Sequence, residues 1–152
     1  MPIKFIDDAF VVPKVLVTEH FHLTVLEDSL AALDYEAVMS SQKRLQGMFG
    51  LDSDWPKVNM SLQQNIQELK NHQQEFEARQ AFAYSVLNLS KTRCLGCVYV
   101  DPSPSEDYDC EVYLWVRDDS LALDKVLFET VMQWLNNDWP FARIGFPGRC
   151  IE

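Results

Sequence analysis

Phe82-Ala83-Tyr84-Ser85-Val86-Leu87, then the polar Asn88-Leu89-Ser90-Lys91, then Cys94-Leu95-Gly96-Cys97-Val98-Tyr99-Val100-Asp101, is the stretch that decides the architecture. Both apolar runs are rich in β-branched and aromatic residues, and the polar segment between them carries turn chemistry. Together they predict an antiparallel hairpin. A loop with two prolines, Asp101 to Asp109, leads into Cys110-Glu111-Val112-Tyr113-Leu114-Trp115-Val116-Arg117, which predicts a third sequential strand.

Toward the C-terminus, Asp118-Asp119-Ser120 opens a predicted helix whose apolar residues Leu127, Phe128, Val131, Trp134 and Leu135 recur at three and four. It ends near Asp138, before Trp139-Pro140. Ala142-Arg143-Ile144-Gly145-Phe146 then reads as a short last strand. It follows a helical crossover and so is expected to lie parallel to the strand at 110–117. Upstream, Ser61-Leu62-Gln63-Gln64 fits a capping box, and Leu62, Ile66, Leu69 and Phe76 share one face of a helix reaching about Arg79. Phe21 to Leu26 predicts a first strand, and Glu27-Asp28-Ser29 caps a helix to about Met39. Ser40-Ser41 reads as a break and a new cap, and a second helix, Gln42 to Phe49, stops at Gly50. The loop Leu51 to Met60 carries Asp54-Trp55-Pro56. Residues 1–20, around Pro2 and Pro13, read as an arm or an edge strand.

The expected fold is α/β (α+β): a mixed, mostly antiparallel sheet flanked by helices, in one domain over 1–152. With 152 residues, 47% hydrophobic and 24% charged, the chain can bury a core, which excludes disorder and a collagen-like build. A net charge of -10 repels phosphate backbones and anionic bilayers, so neither nucleic acid nor a membrane is an expected partner. No apolar run approaches the roughly 20 residues of a membrane helix, and MPIKFIDDAFVV lacks signal-peptide features. A cytoplasmic location is expected.

The four cysteines, Cys94, Cys97, Cys110 and Cys150, are too few for a disulfide scaffold. Cys94-Leu95-Gly96-Cys97 has CxxC spacing, but it runs into a strand, where residues three apart face opposite sides. Both sulfurs would reach one ion only if Gly96 supported a tight knuckle. Buried thiols and no metal are expected, with a zinc-stabilised adaptor using all four as the competing reading.

The order of elements and these residues resemble the GNAT acetyltransferase fold, in the branch related to ribosomal-protein N-acetyltransferases, over residues 21 to 147. The hairpin with Gly96 in its second strand matches the family's central hairpin. The resemblance implies that main-chain groups of Leu114, Trp115 and Val116 hold the arm of acetyl-CoA. Where the family carries Gln/Arg-x-x-Gly-x-Gly/Ala for the pyrophosphate, this chain has Arg117-Asp118-Asp119-Ser120-Leu121-Ala122. Arg117 and Ala122 match, and Ser120 replaces the middle Gly. A helix N-terminus offers unpaired N–H groups to an anion, whereas two carboxylates beside it oppose one. Asp-Asp-Ser is equally a self-capped helix start with no ligand. The family fold continues with a further helix, which carries a proton-donating Tyr, and two strands. A shortened GNAT fold is therefore expected, its sheet edge covered by a second copy of the chain or by the N-terminal 20 residues.

Amine acetylation needs a base for the ammonium and a proton for the departing thiolate. Glu111 is the expected base, on the same strand face as Tyr113, Trp115 and Arg117, and Tyr113 is a candidate acid beside Tyr99 and Tyr108. Asp101 and Asp109 are weaker alternatives, expected to solvate their loop or to favour a cationic substrate. His20, His22 and His72 read as surface or structural residues, and Trp115, Trp134 and Trp139 as packing. Trp55 reads as packing or as acceptor lining. Lys70, Glu75, Glu77 and Arg79 read as a solvated helix face. The resemblance implies an acyl-CoA-dependent N-acetyltransferase for a small amine or basic peptide. The alternative is a noncatalytic GNAT-like module that has lost efficient CoA binding and works through partner or ligand contacts.

Overall fold

Ser61 Oγ accepts the Gln64 backbone N–H at 3.1 Å while Gln64 Oε1 accepts the Ser61 N–H at 2.8 Å, and this reciprocal cap starts helix α3, Leu62–Glu77. The computed structural model of the protein describes residues 5–50 and 53–149. Before α3 come β1 (Val15–Val17), β2 (His22–Val25), a 3-10 turn at Asp28–Leu30, α1 (Ala31–Ser40) and α2 (Gln42–Leu45). After it come β3 (Phe82–Leu87), β4 (Cys94–Pro102), β5 (Cys110–Val116), a 3-10 segment at Asp118–Leu123, α4 (Asp124–Asp138) and β6 (Ile144–Gly145).

Among the described residues the strands form one sheet in the order β1-β2-β3-β4-β5-β6. All neighbours are antiparallel except β5 and β6, which pair in parallel with Cys110 opposite Ile144 and Glu111 opposite Gly145. The crossover through α4 produces that parallel pair, as the order of elements implies.

Alternation along the strands sorts their side chains to two faces. Phe82, Tyr84, Val98, Val112 and Leu114 join α4 residues Leu127, Val131 and Trp134 in one core. Ala83, Leu87, Tyr99 and Trp115 join Ala37, Val38 and Leu69 of α1 and α3 in the other. Residues 5–12 lie against the α4-side core, with Phe5 stacked on Phe82 and Phe141 at 5.8 and 5.5 Å. The described N-terminal residues therefore sit over that face and at the β1 edge, not along β6.

Three local expectations are corrected. The helix read over Gln42 to Phe49 is a single turn, because the chain reverses at Gly47, whose φ of +83° suits glycine. Ser41 does not cap α2; its Oγ accepts the Asp118 backbone N–H at 2.8 Å instead. Asp118 to Ser120 do not cap α4. They lie in the 3-10 segment, Ser120 is non-helical at φ -130°, and its Oγ bonds Asp119 Oδ1 at 3.1 Å.

The CxxC argument is also corrected. Cys94 pairs with Leu87 and Gly96 with Val86, so Leu95 is an extra residue that shifts the alternation. Leu95 faces the α4-side core, while Cys94 and Cys97 both face α1. Gly96 permits this course, because a Cβ there would lie 1.9 Å from the Trp115 carbonyl oxygen.

Candidate functional site

The β4–β5 ladder stacks three cross-strand pairs on the face that meets α1 and α3: Cys97 with Trp115, Tyr99 with Tyr113, and Asp101 with Glu111. The column thus runs from buried apolar contacts to two carboxylates at its end. Phe49 closes edge-on over both tyrosines, its ring 5.1 Å from each. From α3, His72 approaches the Tyr99 ring at 5.7 Å, and its Nδ1 lies 3.4 Å from Glu75 Oε1. Together with Gln80 and Pro102, Phe49, His72, Glu75, Tyr99 and Asp101 line a pocket of about 480 Å³. A larger groove of about 1190 Å³ shares Gln80 and Pro102 with it and carries Asp7, Asp8 and Tyr108.

Burial raises the Asp101 carboxyl to about 6, and the nearby Glu75 and Glu111 charges add to the effect. Glu111 Oε2 accepts from Ser103 Oγ at 2.7 Å, which holds it across from Asp101. Burial pushes the His72 pKa down, opposed by Glu75, so the imidazole is neutral near neutral pH. Burial, then Glu111 and Asp101, raises the Tyr113 pKa, and that phenol keeps its proton. Such an arrangement can take up and hold a proton near neutral pH beside a cationic group.

At the other end of β5, the loop of residues 117–122 is surrounded by arginines. Arg117, 3% exposed, grips Glu36 with both terminal nitrogens and reaches Asp119 Oδ1 at 2.9 Å through Nε. Arg93 pairs with Asp119, and Arg44 with Asp118 and the Val116 carbonyl. Arg149 holds Asp124 through two bonds of 2.7 and 2.8 Å and donates to the Leu114 carbonyl at 3.1 Å. The Asp118 N–H is taken by Ser41 Oγ, and the Ser120 N–H bonds the Arg117 carbonyl at 2.9 Å. Asp118 and Asp119, both solvent-facing, thus occupy guanidinium groups that would suit a pyrophosphate. Leu121 and Ala122 are exposed beside them.

The remaining candidates separate. Tyr99 is buried with its hydroxyl accepting from Trp115 Nε1 at 3.2 Å, which is a structural role. Tyr108 is exposed, its ring over Gly145. Asp109 accepts the Ala142 and Arg143 N–H groups at 2.8 and 2.9 Å, which hold its carboxyl below the usual range, so it fixes the entry to β6. Arg79 is not a solvated residue: its guanidinium donates to the Asp7 and Phe10 carbonyls and anchors the N-terminal segment. Trp55 bonds Glu68 at 3.0 Å and packs on Phe49, one layer behind the pocket. His20 lies at the surface beside Glu19. Cys150, part of the four-thiol reading, lies outside the described residues.

Sequence reading underrates Asp101, takes His72 for a surface or structural residue and Glu75 for part of a solvated helix face, and leaves out Arg44 and Arg149. For Asp101 the signal is masked, because the loop read as Asp101 to Asp109 includes it, whereas β4 runs on to Pro102, opposite Cys110, and so sets Asp101 opposite Glu111. The others come from elements far away in sequence and leave none.

No family model matches the sequence, and no curated protein does. Solved structures do. A Vibrio cholerae protein assigned as a ribosomal-protein-serine acetyltransferase matches with a TM-score of 0.69 at 16% identity, over 89% of this chain and 75% of that one. A ribosomal L7/L12 alpha-N-protein acetyltransferase in complex with coenzyme A matches at 0.60 and 15%, over 82% and 70%. The microcin C7 self-immunity acetyltransferase MccE, in complex with acetyl-CoA and AMP, matches at 0.59 and 12%, over 85% and 68%. At such identities the likeness shows the fold, which is that of the GNAT acetyltransferases.

Proposed function

With the GNAT acetyltransferase fold as premise, we propose that this chain is an acetyl-CoA-dependent N-acetyltransferase for a cationic amine, either a small amine or the amino group of a basic peptide. The observation that supports this reading is Asp101, which lines the pocket at the end of the strand column with its carboxyl shifted to about 6 and has Glu111 opposite it on the ladder. Together with Glu75, these carboxylates attract an ammonium group and orient it. Once ionised, Asp101 takes a proton from it and leaves the free amine. Glu111 serves as the second carboxylate, and the Tyr113 phenol holds its proton nearby.

The loop at 117–122 fits an anionic cofactor through its arginines. Arg44, Arg93 and Arg117 would hold the pyrophosphate in exchange for Asp118 and Asp119, while main-chain groups of Leu114 to Val116 would hold the arm. When bound, acetyl-CoA supplies an acyl group activated as a thioester.

A second reading has its own support. Arg149 sits on the Leu114 carbonyl and Arg44 on the Val116 carbonyl, so the cofactor strand is already satisfied internally. That favours a noncatalytic module. Thiol release from acetyl-CoA, measured with a panel of amines and basic peptides, separates the two. Acceptor-dependent release supports the transferase, and its absence together with undetectable acetyl-CoA binding supports the module.

A further inference from the structure

Asp34, Cys94 and Cys97 meet in the core between α1 and β4, away from the carboxylate pocket. One Asp34 carboxylate oxygen and the two sulfurs all lie within 4.8 Å of one another, and Cys97 Sγ donates to Asp34 Oδ1 at 3.3 Å. The extra residue Leu95 makes the meeting possible, because without that bulge Cys94 and Cys97 would face opposite sides of the sheet. Asp34 is 3% exposed, and its hydrogen-bond partners are the Cys97 thiol and Asn65 Nδ2, the latter at 2.9 Å. Both are neutral, and no ammonium or guanidinium pairs with it among the described residues. A carboxylate buried among neutral groups must bind either a proton or a metal.

We propose that Asp34, Cys94 and Cys97 form a zinc site. Tetrahedral Zn²⁺ with sulfur at about 2.3 Å and oxygen at about 2.0 Å sets its ligands roughly 3.5 Å apart, so the cluster has to contract by only about 1 Å. Loading releases both thiol protons and the proton that the metal-free Asp34 carboxyl holds, and the metal with two thiolates and one carboxylate carries a single negative charge. Two features of the surroundings suit that charge. Asn65 donates to the second Asp34 oxygen and fixes the carboxylate, and Arg117 Nη1 donates to the Cys94 carbonyl at 3.1 Å. Three protein donors leave the fourth position to water or a backbone carbonyl. Cys110 belongs to the opposite core and takes no part. Such a site would fasten α1 to β4 and so steady the Arg117–Glu36 contact.

The test uses the full-length protein, reduced with a phosphine, stripped by chelator and refolded with Co²⁺ so that the buried cluster is open to metal. The expected result is one equivalent bound, with thiolate-to-cobalt charge-transfer absorption that Zn²⁺ displaces. Cys110→Ser keeps that absorption. Cys97→Ser and Asp34→Asn weaken binding by about tenfold or more, and Asn65→Ala by about tenfold. No charge-transfer absorption in the wild type overturns the proposal, and this readout stands even if a variant fails to fold. Unchanged affinity in a folded Cys94→Ser/Cys97→Ser double variant overturns it too.

Discussion

Asp101 and Glu111 face each other across the β4–β5 ladder as register partners, two carboxylates where cross-strand pairing ordinarily favours opposite charges. Like charges in that position cost stability, and burial of Asp101 adds to the cost. A fold keeps such a pair at the expense of stability, and the position of Asp101 in the lining of a pocket gives it a use.

The Asp101 carboxyl makes stability depend on pH with a definite sign. Its pKa in the folded chain, about 6, exceeds the ordinary 3.8, so the folded state binds the proton more tightly than the unfolded one. Through this group, stability falls as pH rises from about 4 to about 6 and stays lowered above that. Asp101→Asn is expected to gain about 2 kcal/mol over the wild type at pH 8 and little at pH 4. Urea unfolding at both pH values checks this.

Gly96→Ala is expected to destabilise the protein by more than about 3 kcal/mol, because the new methyl meets backbone atoms that cannot swing away. Gly148→Ala has open space around its Cβ and pays only for a φ of +79°, so it is the milder variant. Thermal unfolding of the two compares them directly.

Arg149 competes with any ligand of the Leu114 carbonyl. Arg149→Met is expected to tighten acetyl-CoA binding about tenfold, or about 1.4 kcal/mol. Asp118→Ala/Asp119→Ala is expected to act in the same direction by freeing Arg44 and Arg93. Calorimetry with acetyl-CoA measures both.

Much of the fold was legible because it is local. The capping box at Ser61, the alternation in 82–87 and 110–116, and the crossover that makes β6 parallel all follow from neighbouring residues. The Leu95 bulge was not legible, since it exists only relative to the register of Val86 and Leu87 on another strand. Ser41 reads as a helix cap because sequence shows its own helix and not the Asp118 N–H that arrives from 77 residues away. The candidate site divides in the same way. Glu111 and Tyr113 stand out by strand alternation, whereas the weight of Asp101 depends on its burial in the fold and then on Glu75, which α3 brings alongside. The arginines around residues 117–122 are likewise assembled from α2, the turn before β4 and the segment after β6.

The most direct test is the pH dependence of acetyl transfer from acetyl-CoA to the best acceptor amine, for the wild type and for Asp101→Asn. The account predicts a wild-type rate that rises through about pH 6 as Asp101 ionises. It also predicts an Asp101→Asn rate lower by about 10²-fold or more that lacks this step. A wild-type profile flat across pH 6, or an Asp101→Asn variant with the full rate and the same profile, would contradict it.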